Sequence, residues 1–203
     1  MYKELEFSIK GVAPTLIHSG RLANPLDPIV KQMKLIHSKR KKTDDDIAAL
    51  AKLEWLGSFY PETDGGFEVK GNEITVVGYG RPHWPSDNIE RMLQDAAAKN
   101  RLGKQFKAGV MVPEDGFLIY EGPDTIEELF HDRRFWDTRS AKIQRATVQR
   151  TRPIFRNWSM KFTVHYLPDI VDPSAVTEAV MIAGRLIGLS DNRPKYGRFE
   201  VLN

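Results

Sequence analysis

Leu5, Phe7 and Ile9 alternate with Glu6, Ser8 and Lys10, the period-two pattern of a strand with one buried face. The pattern runs out at Gly11 and Pro14, and a polar loop follows to Asp27. Asp27-Pro28 then places an N-cap residue ahead of proline at the first helical position, with Ile29, Val30, Met33 and Ile36 on one face. This predicts a helix that ends in the run Lys39-Arg40-Lys41-Lys42. Thr43 and Asp46 have capping-box spacing and predict a second helix to about 55–59; the acids Asp44, Asp45 and Asp46 suit its positive N-terminus better than they suit a metal. Phe67–Lys70 and Ile74–Val77, joined through Gly71-Asn72, read as a hairpin flap.

Pro85-Ser86-Asp87 leads into a helix with Ile89, Met92, Leu93, Ala96 and Ala97 on one face, Asp87 and Glu90 at capping spacing and Gly103 closing it. Val110–Tyr120 reads as two short extended pieces around Pro113–Gly116, and Asp124–His131 as a short capped helix. Ile143–Ile154 is extended, Asn157-Trp158 turns the chain, and Met160, Phe162, Val164 and Tyr166 alternate with polar residues in a returning strand. Asp172-Pro173 repeats the cap-plus-proline start of a helix that stops at Gly188, and Phe199 and Val201 lie in a closing strand. The frame is β-α-β-β-α-β, an α+β, ferredoxin-like (RRM-like) antiparallel sheet with helices on one face and inserted helical and hairpin elements. The expectation is one domain over residues 1–203, with insertions at about 43–80 and 104–140.

The chain has 203 residues, enough for a sizeable core, and no cysteine, which excludes disulfides, thiolate metal sites and thiol nucleophiles. No apolar run approaches the ~20 residues of a membrane span, and the N-terminus lacks a signal-peptide core; the expected location is the cytoplasm, with no membrane partner. Net charge is only +3, yet residues 133–156 hold eight basic residues against one acid, Asp137. Such clustering points to a polyanion. The candidate nucleic-acid-binding residues are Lys39, Arg40, Lys41, Lys42, Arg145, Arg150, Arg152, Arg156, Arg193, Lys195, Tyr196 and Arg198. The last four sit in a basic, aromatic loop framed by Gly188 and Gly197, with Tyr196 and Arg198 expected to face away from the core. Trp136 and Trp158 are candidates either to stack bases or to anchor the core. The five histidines show no ligand spacing, and no phosphate-loop or dinucleotide glycine motif is present. No metal and no cofactor is expected.

Three segments resemble the RAMP superfamily, the RNA-binding subunits of CRISPR effector complexes, and within it the backbone subunits that coat guide RNA. They are Phe7–Gly20, similar to the family's first strand and small-residue turn; Trp84–Leu93, similar to its proline-small-small helix start; and the terminal helix, loop and strand. The family's loop normally carries more glycines, so here Arg193, Lys195 and Arg198 take over from a backbone cradle. The resemblance implies sequence-tolerant binding of single-stranded RNA or DNA, without catalysis, by copies that line up along the strand; the insert from Thr43 to Tyr79 is long enough to reach a neighbour. It also implies an enzymatic alternative. Leu26–Val30 resembles the segment that carries the cleaving aspartate of RNA-cutting backbone subunits, which makes Asp27, helped by His18, a candidate endoribonuclease site, whereas the local pattern reads Asp27 as a helix cap. The chain resembles short tailed-bacteriophage proteins too, and a structural or host-interaction role is the third reading.

Overall fold

The computed structural model describes residues 1–203 apart from Asn72, Gln144, Arg145 and Asn203, with no side chain described from 141 to 147. In chain order the elements are β1 (Lys3–Gly11), β2 (Thr15–Leu16), α1 (Pro28–His37), α2 (Asp44–Gly57), β3 (Gly66–Lys70), β4 (Glu73–Val77), β5 (His83–Trp84), α3 (Ser86–Ala97) and α4 (Gly103–Gly109). There follow β6 (Val110–Met111), β7 (Gly116–Ile119), α5 (Ile126–Leu129), β8 (Trp136–Ile143), β9 (Ala146–Phe155), β10 (Ser159–Tyr166), α6 (Pro173–Ile182) and β11 (Phe199–Val201). The contacts divide the chain into two compact units, one made of Met1–Leu16, His83–Glu121 and Phe155–Asn203, the other of Ile17–Pro82 and Gly122–Ile154.

The first unit holds an antiparallel sheet in the order β11-β1-β10-β7-β5, with β6 also paired to β10. Counted along the β-α-β-β-α-β path, β11, β1, β10 and β7 are the fourth, first, third and second strands, the ferredoxin-like arrangement. β1 and β10 set the register: Phe7 lies opposite Phe162 and Ile9 opposite Met160, and these side chains are buried with Val164 and Tyr166 while Glu6, Lys10 and Lys161 are exposed. Alternation with one buried face leaves no other register. α3 and α6 pack on each other.

Several sequence expectations are corrected within this unit. Asn157-Trp158 does not close a hairpin, because β9 pairs with β8 while β10 pairs with β1. Trp158 is instead an anchor: its ring occupies the space beside Gly11, where a Cβ would fall 2.2 Å from Nε1, and Nε1 donates to the Ala13 carbonyl at 2.9 Å. The Asp87–Glu90 cap does not form. The Ser86 amide donates to Asp115 (2.8 Å), and Glu90 accepts from the Val112 amide (2.7 Å). Gly103 opens α4 rather than closing α3; a 3-10 turn over Ala98–Asn100 and left-handed Arg101 (φ 64°) end the preceding helix. The Asp172 side chain makes no cap bond, although Pro173 takes the first helical position as expected, and α6 continues into a π-helical turn, Ala183–Ile187.

In the second unit, Asp27 caps α1 by accepting from the Ile29 amide (2.8 Å), and Thr43 and Asp46 form the full capping box of α2. Its core is aromatic. Trp55, fully buried, stacks on Trp136 at 4.5 Å and meets Phe59 and Phe130 edge-on, and its Nε1 donates to the Phe135 carbonyl at 3.0 Å. β3 and β4 pair as the expected hairpin. Among the described residues no helix is long and apolar enough to cross a membrane, and no cluster of histidine and acidic side chains could hold a metal ion.

Candidate nucleic-acid interface

α1 and α2 pack side by side, and in the same unit β9 lies along α2 through one buried acid. Glu54, within the otherwise apolar Leu53–Leu56 segment, accepts from Arg150 Nη1 (2.5 Å) and from the Thr151 amide (2.8 Å). Glu54 is 6% exposed, whereas the Arg150 side chain is 31% exposed. One side of Arg150 is therefore fixed by its carboxylate partner while the remainder reaches solvent. Above this pair opens a groove of about 580 Å³, lined by Met33, His37, Ile47, Leu50, Glu54 and Arg150 among others. Its walls are mostly apolar, and Ile47 remains 57% exposed.

The basic run begins two residues beyond His37, the last lining residue on the α1 side of this groove. His37 is the last residue of α1 and lines it; Lys39–Lys42 follow directly; and Lys39 Nζ reaches back to Asp46 Oδ1 (2.5 Å), next to Ile47 in the wall. The hydrogen bond from Lys39, then that from the Thr43 amide, holds the Asp46 carboxyl below its usual range. Lys39 is thus spent on the start of α2. Arg40, Lys41 and Lys42 are exposed and have no ion pair among the described residues. Apolar walls, one guanidinium held in a wall and three exposed cations in the segment after α1 are groups that can take bases and phosphates of a nucleotide chain.

The other predicted residues fare differently. Arg139 and Arg150 stand directly opposite on β8 and β9, a like-charge pairing that is destabilising by itself; Asp137 takes Arg139 (2.7 Å) and Glu54 takes Arg150. Arg152 is half-buried opposite Asp137. Arg134 is held by Asp132 (2.6 Å), and Arg133 lies over the Trp136 ring at 4.2 Å. Part of the local positive excess seen in the sequence is therefore compensated by two acids outside the window, Asp132 and Glu54. Arg156 is exposed in the first unit, and Arg145 lies outside the described residues. Trp136, stacked on Trp55, belongs to the core.

The terminal loop is a braced ring. The Leu189 amide donates to the Gly197 carbonyl and the Gly197 amide to the Pro14 carbonyl, both at 2.8 Å. Thr15 Oγ1 donates to the Leu189 carbonyl (2.6 Å), and the Leu16 amide donates to Ser190 Oγ (2.8 Å). Gly188 and Gly197 have φ of 82° and 74°, and a Cβ on Gly197 would lie 2.3 Å from the Leu189 carbonyl oxygen. This closure turns Tyr196 inward to 5% exposure, contrary to the outward direction expected from simple alternation, which holds only for a regular strand. Arg193, Lys195 and Arg198 are exposed; Arg193 contacts Asp95 (3.6 Å), and Arg198 Nε donates to the Pro194 carbonyl (2.8 Å).

Asp27 has both carboxylate oxygens engaged, Oδ1 by the Ile29 amide and Oδ2 by Arg21 Nε at 2.9 Å. Arg21 also reaches Asp64 (3.0 Å); burial works to lower its pKa, but the hydrogen bonds to Asp64 and Asp27 raise it overall. His18 Nδ1 lies 3.4 Å from Ser58 Oγ. The arrangement at Asp27 is that of a helix cap locked by an arginine. The pattern Asp27-Pro28 carried that signal; the Glu54–Arg150 pair, missed in the sequence, was signalled only by an acid amid Leu53, Trp55 and Leu56.

No protein-family model matches this sequence, and no curated protein matches it. Among solved structures the chain is similar to one from the cryo-electron microscopy structure of the type III-B Cmr-beta bound to cognate target RNA. The identity is 13% and the TM-score 0.53; the match covers 100% of this chain and 59% of that one, so the chain spans under two thirds of its neighbour's length. The likeness is one of fold, and it agrees with the α+β, ferredoxin-like frame.

Proposed function

We propose that this protein binds single-stranded nucleic acid without sequence preference, and that the α1–α2–β9 groove is where it does so. The observation that carries the reading is one apolar groove with the Glu54-held Arg150 in its wall and the exposed Arg40–Lys42 run starting three residues beyond His37, which ends its α1 side; the two basic groups are over a hundred residues apart in sequence. The fold likeness to a chain from an RNA-bound complex supports the same reading and makes RNA the first strand to test. Assembly of several copies along one strand is part of the proposal. Cleavage is not, since both oxygens of Asp27 are committed to Ile29 and Arg21.

Fluorescence anisotropy with a labelled single-stranded oligonucleotide tests the proposal. Replacing Arg40, Lys41 and Lys42 with serine removes up to three phosphate contacts, so the slope of log affinity against log salt falls by about 2, and affinity at roughly 50 mM salt drops about tenfold. Unchanged affinity and slope in a folded triple variant contradict the groove reading. Light scattering on a long strand checks assembly: particles larger than one protein per strand are expected, and strictly one-to-one complexes would exclude it.

A further inference from the structure

A further group of uncompensated cations in the first unit lies where the sequence window did not point. From residue 96 to residue 113 there are four cations, Lys99, Arg101, Lys104 and Lys107, and no acid. None of the four has an ion pair among the described residues, and all are exposed. Asp95, the nearest acid on the helix side, is already shared by Arg91 (3.1 Å) and Arg193 (3.6 Å).

The fold brings the backbone of these four residues to one corner. α3 ends in left-handed Arg101, whose amide donates to the Ala98 carbonyl (3.1 Å), and the Leu102 amide donates to the Ala97 carbonyl (2.9 Å). α4 then starts against that turn, because a Cβ on Gly103 would lie only 3.2 Å from Ala98 Cβ. Lys99 and Lys104 thus flank one contact. Phe106, fully buried, pins α4, and Lys104 and Lys107, three apart, share its outer side. Grouped like charges at one corner destabilise the free protein and are relieved by an anion.

We propose that the α3–α4 corner is a second contact surface for the phosphate chain of single-stranded nucleic acid, separate from the groove. The inference rests on the strand-binding reading above. Lysine acetylation of the wild-type protein, with and without a single-stranded RNA oligonucleotide and read by mass spectrometry, is the primary test. Lys99, Lys104 and Lys107 become protected when the strand is bound. Protection at Lys41 and Lys42 with none at the corner overturns this inference and leaves the groove standing; no binding to any strand overturns both. The variant Lys99→Ser/Arg101→Ser/Lys104→Ser/Lys107→Ser supplies the second arm. Its salt slope falls by up to about 3 and its affinity by about tenfold or more at low salt, whereas wild-type affinity and slope in this variant overturn the corner. Because acetylation uses the wild-type chain, a variant that failed to fold would not rescue the inference.

Discussion

Replacing Glu54 with glutamine separates stability from binding in a way that few other substitutions here can. Glu54 is buried and accepts two donors, Arg150 Nη1 and the amide of Thr151, itself 1% exposed. An orphaned buried amide costs about 1–3 kcal/mol. The ion pair falls between the ~0–1 kcal/mol of an exposed pair and the ~3–5 kcal/mol lost when a buried pair is broken, because Arg150 is only partly covered. Alanine leaves both donors unmet, so about 3–4 kcal/mol is expected for Glu54→Ala. Glutamine keeps one carbonyl acceptor, and about 1–2 kcal/mol is expected for Glu54→Gln. The same change removes a negative charge from the groove wall, so strand affinity rises by roughly 1 kcal/mol, near fivefold at low salt. Urea unfolding gives the first quantity and anisotropy the second. A Glu54→Gln protein that is as stable as wild type, or that binds more weakly while folded, refutes the assignment of Glu54 as the holder of Arg150.

Three other outcomes follow from the same contacts. Tyr196→Ala destabilises by about 3–5 kcal/mol, as truncation of a buried aromatic does, whereas Arg193→Ser/Lys195→Ser/Arg198→Ser stays within about 0.5 kcal/mol per site; equal melting temperatures for the two variants would place Tyr196 outside the core. Gly197→Ala combines a positive φ with a Cβ 2.3 Å from a backbone oxygen, so thermal unfolding registers a loss well above the ~1 kcal/mol typical of point variants, and a wild-type melting curve would contradict the braced loop. Asp46 has a lowered pKa in the folded state, so its contribution to stability is present above the ordinary carboxylate range and is lost as pH falls through the lowered value; Lys39→Met moves the Asp46 titration seen by NMR upward, and an unmoved titration would exclude Lys39 as its principal partner.

The parts of the fold legible in the sequence are those where one local physical constraint acts alone. β1 and β10 were readable because every second side chain is buried, and α1 and α2 because Asp27-Pro28 and Thr43–Asp46 satisfy helix-end amides within a few residues. α4 was not, since it lies between glycines and a single buried aromatic, Phe106, carries it. Neither the pairing of β9 with β8 rather than β10 nor the place of Trp158, which depends on the missing side chain of Gly11, has a local signal. The candidate site was half legible. Lys39–Lys42 and Arg150 are visible as cations, but charge counted along the chain overstates residues 133–156, where Glu54 and Asp132 act from outside, and passes over residues 96–113. Tyr196 turns inward against simple alternation because hydrogen bonds to Pro14–Leu16, about 180 residues away, close the loop around it.

The central claim is that a single strand lies in the α1–α2–β9 groove, and methyl NMR of Met33, Ile47 and Leu50 reports on that groove directly. On titration with a single-stranded RNA oligonucleotide at low salt, the methyl signals of these three residues, which line the groove, shift together along one saturating curve, and the shifts collapse as salt rises from roughly 50 to 200 mM. Saturable binding that leaves all three unmoved, with shifts confined to methyl groups of the first unit, would contradict the account.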